Sequence, residues 1–91
     1  MYNYIDENSL IDFHDYIIEQ FGGLRGIKNE GQLNSILTHI QNDKYYPIFA
    51  DKITHLFFGL VQFHVFNDGN KRTSILAVEL FLYINNFILK I

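Results

Sequence analysis

His64-Val65-Phe66-Asn67-Asp68-Gly69-Asn70-Lys71-Arg72-Thr73 forms a polar turn at the junction of two apolar runs, residues 48–63 before it and residues 75–89 after it. Asn67-Asp68-Gly69-Asn70 is turn chemistry, because Gly accepts a positive φ and Asx side chains bond nearby backbone or cap a helix. A helix is therefore expected to start near Asn70. Its first turn, with Lys71, Arg72, Thr73 and Ser74, combines unpaired backbone N–H groups, the positive end of the helix dipole and two cations, which together bind phosphate. Cations there oppose the dipole by ~0.3–1 kcal/mol, a conflict that an anionic ligand removes. His64 and Asp68 flank the anion site, so a candidate base, a candidate Mg²⁺ ligand and a phosphate cradle share one turn. A phosphoryl or nucleotidyl transferase requires these parts. Singly, each has a plainer explanation: His64 favours a helix C-terminus, Asp68 or Asn70 caps a helix, and Phe66 anchors the loop in the core. Their conjunction within one turn favours a site.

Outward from the turn, the following helix, about residues 70–87, is apolar on nearly every side through Ile75, Leu76, Ala77, Val78, Leu80, Phe81, Leu82 and Ile84. A helix of that kind is surrounded by others, so it is expected at the centre with its charged N-terminus open to solvent. The preceding helix should follow Pro47 and carry Phe49, Ile53, Leu56, Phe57 and Leu60 on one stripe, delivering His64 to its end. Further back, Asn8 or Ser9 is placed to cap a first helix with the stripe Leu10, Phe13, Ile17, Ile18 and Phe21, closed by Gly22-Gly23. His14 sits on that stripe and reads as a buried histidine bonded to a neighbour. A second helix is expected after Asn29, with Gln32 as the partner of a capping box, burying Leu33, Ile36, Leu37 and Ile40. His39 reads as a surface histidine and His55 as a structural or exposed one. Residues 1–91 are expected to form a single all-α domain.

Composition supports a packed core: 48% of the residues are hydrophobic and 16% aromatic in a chain of 91, near the lower size at which a core alone suffices. The absence of Cys excludes disulfides and thiolate metal sites. No secretory pattern opens the sequence, and a cytoplasmic protein is expected. The net charge of −3 gives no basic face for direct DNA binding. The run 75–89, broken by Glu79 and Asn85-Asn86, falls short of the ~20 residues a membrane span needs.

His-x-Phe-x-Asp-Gly-Asn-Lys-Arg, as it stands from His64 to Arg72, resembles the signature of the Fic/Doc family, and its Lys form is most similar to the Doc (death-on-curing) toxin branch. The resemblance implies a compact helical fold and a set of roles. His64 would take the proton from a protein hydroxyl, and imidazole is suited to that near neutral pH. Asp68 would hold Mg²⁺ between nucleotide phosphates. Gly69, Asn70 and the following N–H groups would line the anion hole, Arg72 would grip phosphate oxygens in its fork, and Lys71 would add a point charge. The donor the resemblance implies is ATP, and the acceptor a protein.

Two differences from the AMP-transferring members bear on the product. Where those commonly have Gly, Arg and a second Arg three residues on, this chain has Lys71, Arg72 and Ile75. Lys71 crowds the hole and the second grip on the terminal phosphates is gone, so the γ-phosphate is expected to face the base. The expected reaction is phosphorylation of a Ser or Thr hydroxyl, with elongation factor Tu the kind of target the Doc branch implies. AMP transfer and an inactive binding remnant are the alternatives. No Ser or Thr is followed by Glu at the spacing of the Fic inhibitory helix. Control by a separate antitoxin whose disordered segment folds on binding is expected instead. The chain is expected to lack the family's last one or two helices, and the apolar stretch 87–91, from Phe87 to Ile91, is expected to promote self-association or to take a partner.

Overall fold

The computed structural model describes residues 1–87 and consists of four helices, α1 (Glu7–Phe21), α2 (Glu30–His39), α3 (Phe49–Gln62) and α4 (Asn70–Ile84). The all-α expectation holds; the extended pairing among the described residues is a single antiparallel bridge between Ile27 and Phe66.

Helix α1 is capped by Asp6, not by Asn8 or Ser9: its Oδ1 accepts the Ser9 N–H at 2.7 Å. Asp caps as well as Asn or Ser, and from this position its carboxylate also meets the dipole. Hydrogen bonding from Ser9, the backbone N–H foremost, holds the Asp6 carboxyl below the usual carboxylate range. The helix stops at Gly22, whose φ of 82° carries the chain out while its N–H reaches Ile18 O at 2.8 Å. Helix α4 starts at Asn70 as expected but ends at Ile84, short of Phe87. Asn86 takes the left-handed φ of 65°. Its N–H bonds Tyr83 O at 3.1 Å, and the Phe87 N–H bonds Leu82 O at 3.0 Å. That is the Schellman closure, with Asn in the place usual for Gly.

Leu10, Leu33, Ile36, Leu56, Leu60, Val65, Phe66, Ala77 and Phe81 form one buried cluster contributed by all four helices and the turn. α4 packs most extensively on α3 and also on α1, whereas α2 joins through α3 and α1. The deepest face of α4 is Thr73, Ser74, Ala77 and Phe81; Ile75 and Tyr83 lie outside it and are exposed. On α3 the buried face includes Lys52 and Gly59 beside the expected Leu56 and Leu60. A Cβ on Gly59 would come within 2.9 Å of Ile36, so glycine there sets how closely α2 and α3 approach.

Residues 1–6 precede α1 as an arm without helix or strand, tied to the end of α4. Asn3 N–H donates to Asn85 Oδ1 at 2.7 Å and Asn85 Nδ2 returns a bond to Asn3 O at 2.9 Å. Ile5 is buried and the Tyr2 ring lies 4.8 Å from that of Phe49. The Phe87 ring stacks on Phe49 at 4.7 Å, and the rest of the expected association segment, 88–91, lies outside the described residues. No helix among the described residues is long and apolar enough to cross a membrane.

Candidate active site

Helix α3 ends two residues before His64, which has a φ of 46°. Left-handed backbone at a residue with a Cβ stores ~1–3 kcal/mol of strain and persists only where the surroundings hold it. From there the chain dives inward, with Val65 and Phe66 both fully buried. Val65 O accepts the N–H groups of Lys28 at 2.8 Å and Asn29 at 3.0 Å. The Asn70 side chain clasps Phe66 at both ends, accepting its N–H and donating to its carbonyl, each at 2.9 Å. Asn67 bonds the α1–α2 loop twice, through Nδ2 to Arg25 O at 2.9 Å and through its N–H to Gly26 O at 3.0 Å.

Asp68 is held on three sides. Its carboxylate accepts Gly69 N–H at 2.9 Å on Oδ1 and Leu24 N–H at 3.2 Å on Oδ2. Its backbone carbonyl lies 2.7 Å from Nε2 of His14; a carbonyl only accepts, so that nitrogen carries the proton. His14 is buried, and its ring stacks on Phe66 with centroids 3.8 Å apart and planes 7° apart. Gly69 then enters α4 with a left-handed φ of 73° and no side-chain cap. A Cβ there would lie 3.2 Å from Ile18 Cδ1, so both backbone and space call for glycine. The N–H groups that follow, at Asn70, Lys71 and Arg72, precede the helical hydrogen-bond ladder and remain available to an anion.

His64, Asp68, Gly69, Asn70, Lys71 and Arg72 line one cleft of about 430 Å³, together with Asn67, Ile17, Phe21 and Gly22. The structure thus brings together every expected site residue except Phe66, which is fully buried and does not line the cleft. Four contributors escaped the sequence reading. Phe21 underlies the Arg72 guanidinium at 4.1 Å from its ring centroid, a cation–π contact. Gly23 leaves room for Asp68, whose Oδ2 a Cβ would approach to 2.7 Å. His14 and Asn29 hold the turn from α1 and from the start of α2. The Gly22-Gly23 pair signalled a stop, and only the folded chain reveals it as a wall of the site.

Each oxygen of the Asp68 carboxylate accepts one backbone N–H and keeps lone-pair capacity, and the side chain is exposed at the cleft. That suits Mg²⁺, which needs one or two carboxylates when phosphates and waters complete its octahedron. Among the described residues there is no cluster of three His, Cys, Asp or Glu that would cage a metal with protein ligands alone.

A family model described as Fic/DOC family matches residues 4–82. A curated protein, Protein kinase doc of Escherichia phage P1, is 34% identical over 83 residues, a match covering 87% of this chain and 65% of that protein. The chain therefore matches just under two thirds of this relative's length.

Proposed function

Since the chain belongs to the Fic/DOC family, we propose that it transfers the γ-phosphate of ATP to a Ser or Thr hydroxyl of a protein, in the cytoplasm, as a toxin of the Doc kind. The observation carrying this reading is that one cleft is lined by His64, Asp68, Lys71 and Arg72 together with Gly69 and Asn70 at the N-terminus of α4. In the proposed reaction His64 accepts the proton of the target hydroxyl. The oxygen then attacks the γ-phosphorus in line, and ADP leaves. The N–H groups of Asn70, Lys71 and Arg72 and the Arg72 fork bind and orient the phosphates. Asp68 would hold Mg²⁺, which neutralises phosphate charge when bound. The phage relative's name, a protein kinase, supports phosphate over AMP as the group transferred. Elongation factor Tu is the target proposed, and a separate antitoxin segment the proposed restraint; both rest on the family likeness.

The test is a thermal-shift titration. ATP with Mg²⁺ should raise the melting temperature of the parent chain, by the mass action of a ligand bound only to the folded state, and Arg72→Ala should abolish the rise. A parent chain that ignores ATP would remove the basis of the proposal.

A further inference from the structure

Asn29 stands at the N-cap position of α2, where Asn ordinarily bonds the first turn with its side chain. Here it makes no such bond. Its side-chain amide turns the other way, Nδ2 donating to the carbonyls of Phe63 at 3.0 Å and His64 at 3.3 Å. Both partners only accept, so the amide nitrogen must face them, and a carboxylate in its place has no proton to offer. The backbone N–H of the same residue bonds the next carbonyl, Val65 O, at 3.0 Å. Three successive carbonyls at the end of α3 thus converge on Asn29. The middle one belongs to His64, whose φ of 46° is one of only two left-handed non-glycine conformations among the described residues.

We propose that Asn29 is the positioning residue of His64. By gripping the carbonyls on either side of the left-handed bend it holds the backbone from which the imidazole projects, and so aims the ring into the cleft. It acts through His64 and touches neither nucleotide nor hydroxyl. The inference rests on His64 being the base. The anion-binding run is secured separately, by His14, Asn70 and Leu24, so the grip of Asn29 affects the reacting geometry and not the hold on phosphate.

Asn29→Asp tests this with little change of shape. Asp is as good a helix cap as Asn and better matched to the dipole, so α2 is not weakened, while the two donors are lost. In phosphoryl transfer from ATP, kcat should fall about tenfold or more, the scale on which small misplacements act, while ATP affinity from thermal shifts stays within about twofold, the split expected when only the transition state loses an interaction. Asn29→Ala should behave alike, and Asn29→Gln, which restores an N–H donor on a longer arm, should recover part of the rate. In ¹H–¹⁵N spectra without ligand, the His64 and Val65 signals should move in Asn29→Asp and those of residues 69–72 stay in place. Parent-like His64 signals and kcat would overturn the inference. So would a parallel fall of kcat, ATP affinity and melting temperature, which marks a merely structural residue. A parent chain that transfers nothing would count against the proposed function, and the His64 signals would still decide the role of Asn29.

Discussion

The Asp68–Gly69 peptide is held by opposite forces at its two ends. Its C=O and N–H point in opposite directions because the peptide is planar and trans, so His14, taking the carbonyl at 2.7 Å from inside, turns the Gly69 N–H outward to the Asp68 carboxylate. His14→Phe would keep a ring against Phe66 and delete the donor. It should lower stability by about 1–3 kcal/mol, the penalty for a polar group left unpaired on burial, and weaken ATP binding as well. Urea denaturation and thermal shift read the two effects. Ile75, by contrast, is 43% exposed, so Ile75→Arg would place its charge in water rather than in the core. At this scale the sequence was informative where residues are contiguous, as in the run from His64 to Arg72. His14 and Asn29 serve the same turn from 54 and 35 positions away. Each was visible as a residue, but its partner was not, because only packing brings α1 and the start of α2 beneath the bend.

Between elements, polar side chains do part of the work that periodicity assigns to apolar ones. Lys52 lies on the buried face of α3, fully enclosed. Its Nζ donates to Ile40 O at 2.7 Å and to Asp43 Oδ1 at 2.8 Å, and lies 5.9 Å and 5.6 Å from the Tyr2 and Tyr4 ring centroids. Burial draws its pKa down, but the hydrogen bond to Asp43, helped by the neighbouring Tyr4, outweighs this and leaves it above the ordinary lysine value. Its charge is therefore kept at neutral pH. Lys52→Met should destabilise by about 1–3 kcal/mol in urea, by stranding the Ile40 carbonyl. A lysine on a helix reads as solvent-facing in sequence, and nothing local reveals that the end of α2 supplies its acceptor.

His55 joins the same two helices. Its Nδ1 lies 3.3 Å from the Tyr46 hydroxyl, and burial, then the neighbouring His39, push its pKa down. The unfolded chain therefore takes up this proton first, and stability rises with pH where the two states differ. The contribution should be complete above the ordinary histidine value of about 6.5 and be lost as the pH falls through the lower folded value. Urea midpoints measured from pH 7 downward should decline, and His55→Gln should flatten that part of the decline. The cores of α2 and α3 were largely legible, since Leu33, Ile36, Leu37, Ile40, Leu56 and Leu60 follow helical spacing and are all buried, whereas Phe21 and Ile75, expected on apolar faces, are exposed. The caps were less so: Asp6, Ser9 and Asn8 are chemically equivalent candidates, and geometry alone selects Asp6.

As a whole, the molecule places its most polar turn at one end of α4 and closes the other end with the N-terminal arm through Asn3 and Asn85. The core beneath the turn, from Leu10 through Phe66 to Phe81, gives the cleft a rigid floor, while His64, Lys71 and Arg72 remain exposed above it. Such a division suits chemistry carried out on a large partner, whose hydroxyl must reach an open site. The direct test is the intact mass of purified elongation factor Tu after incubation with this chain, ATP and Mg²⁺, beside a reaction with His64→Ala. The parent chain should add one phosphoryl group, and His64→Ala should leave the mass unchanged. Attachment of AMP, or phosphorylation that persists in His64→Ala, would contradict the proposed function.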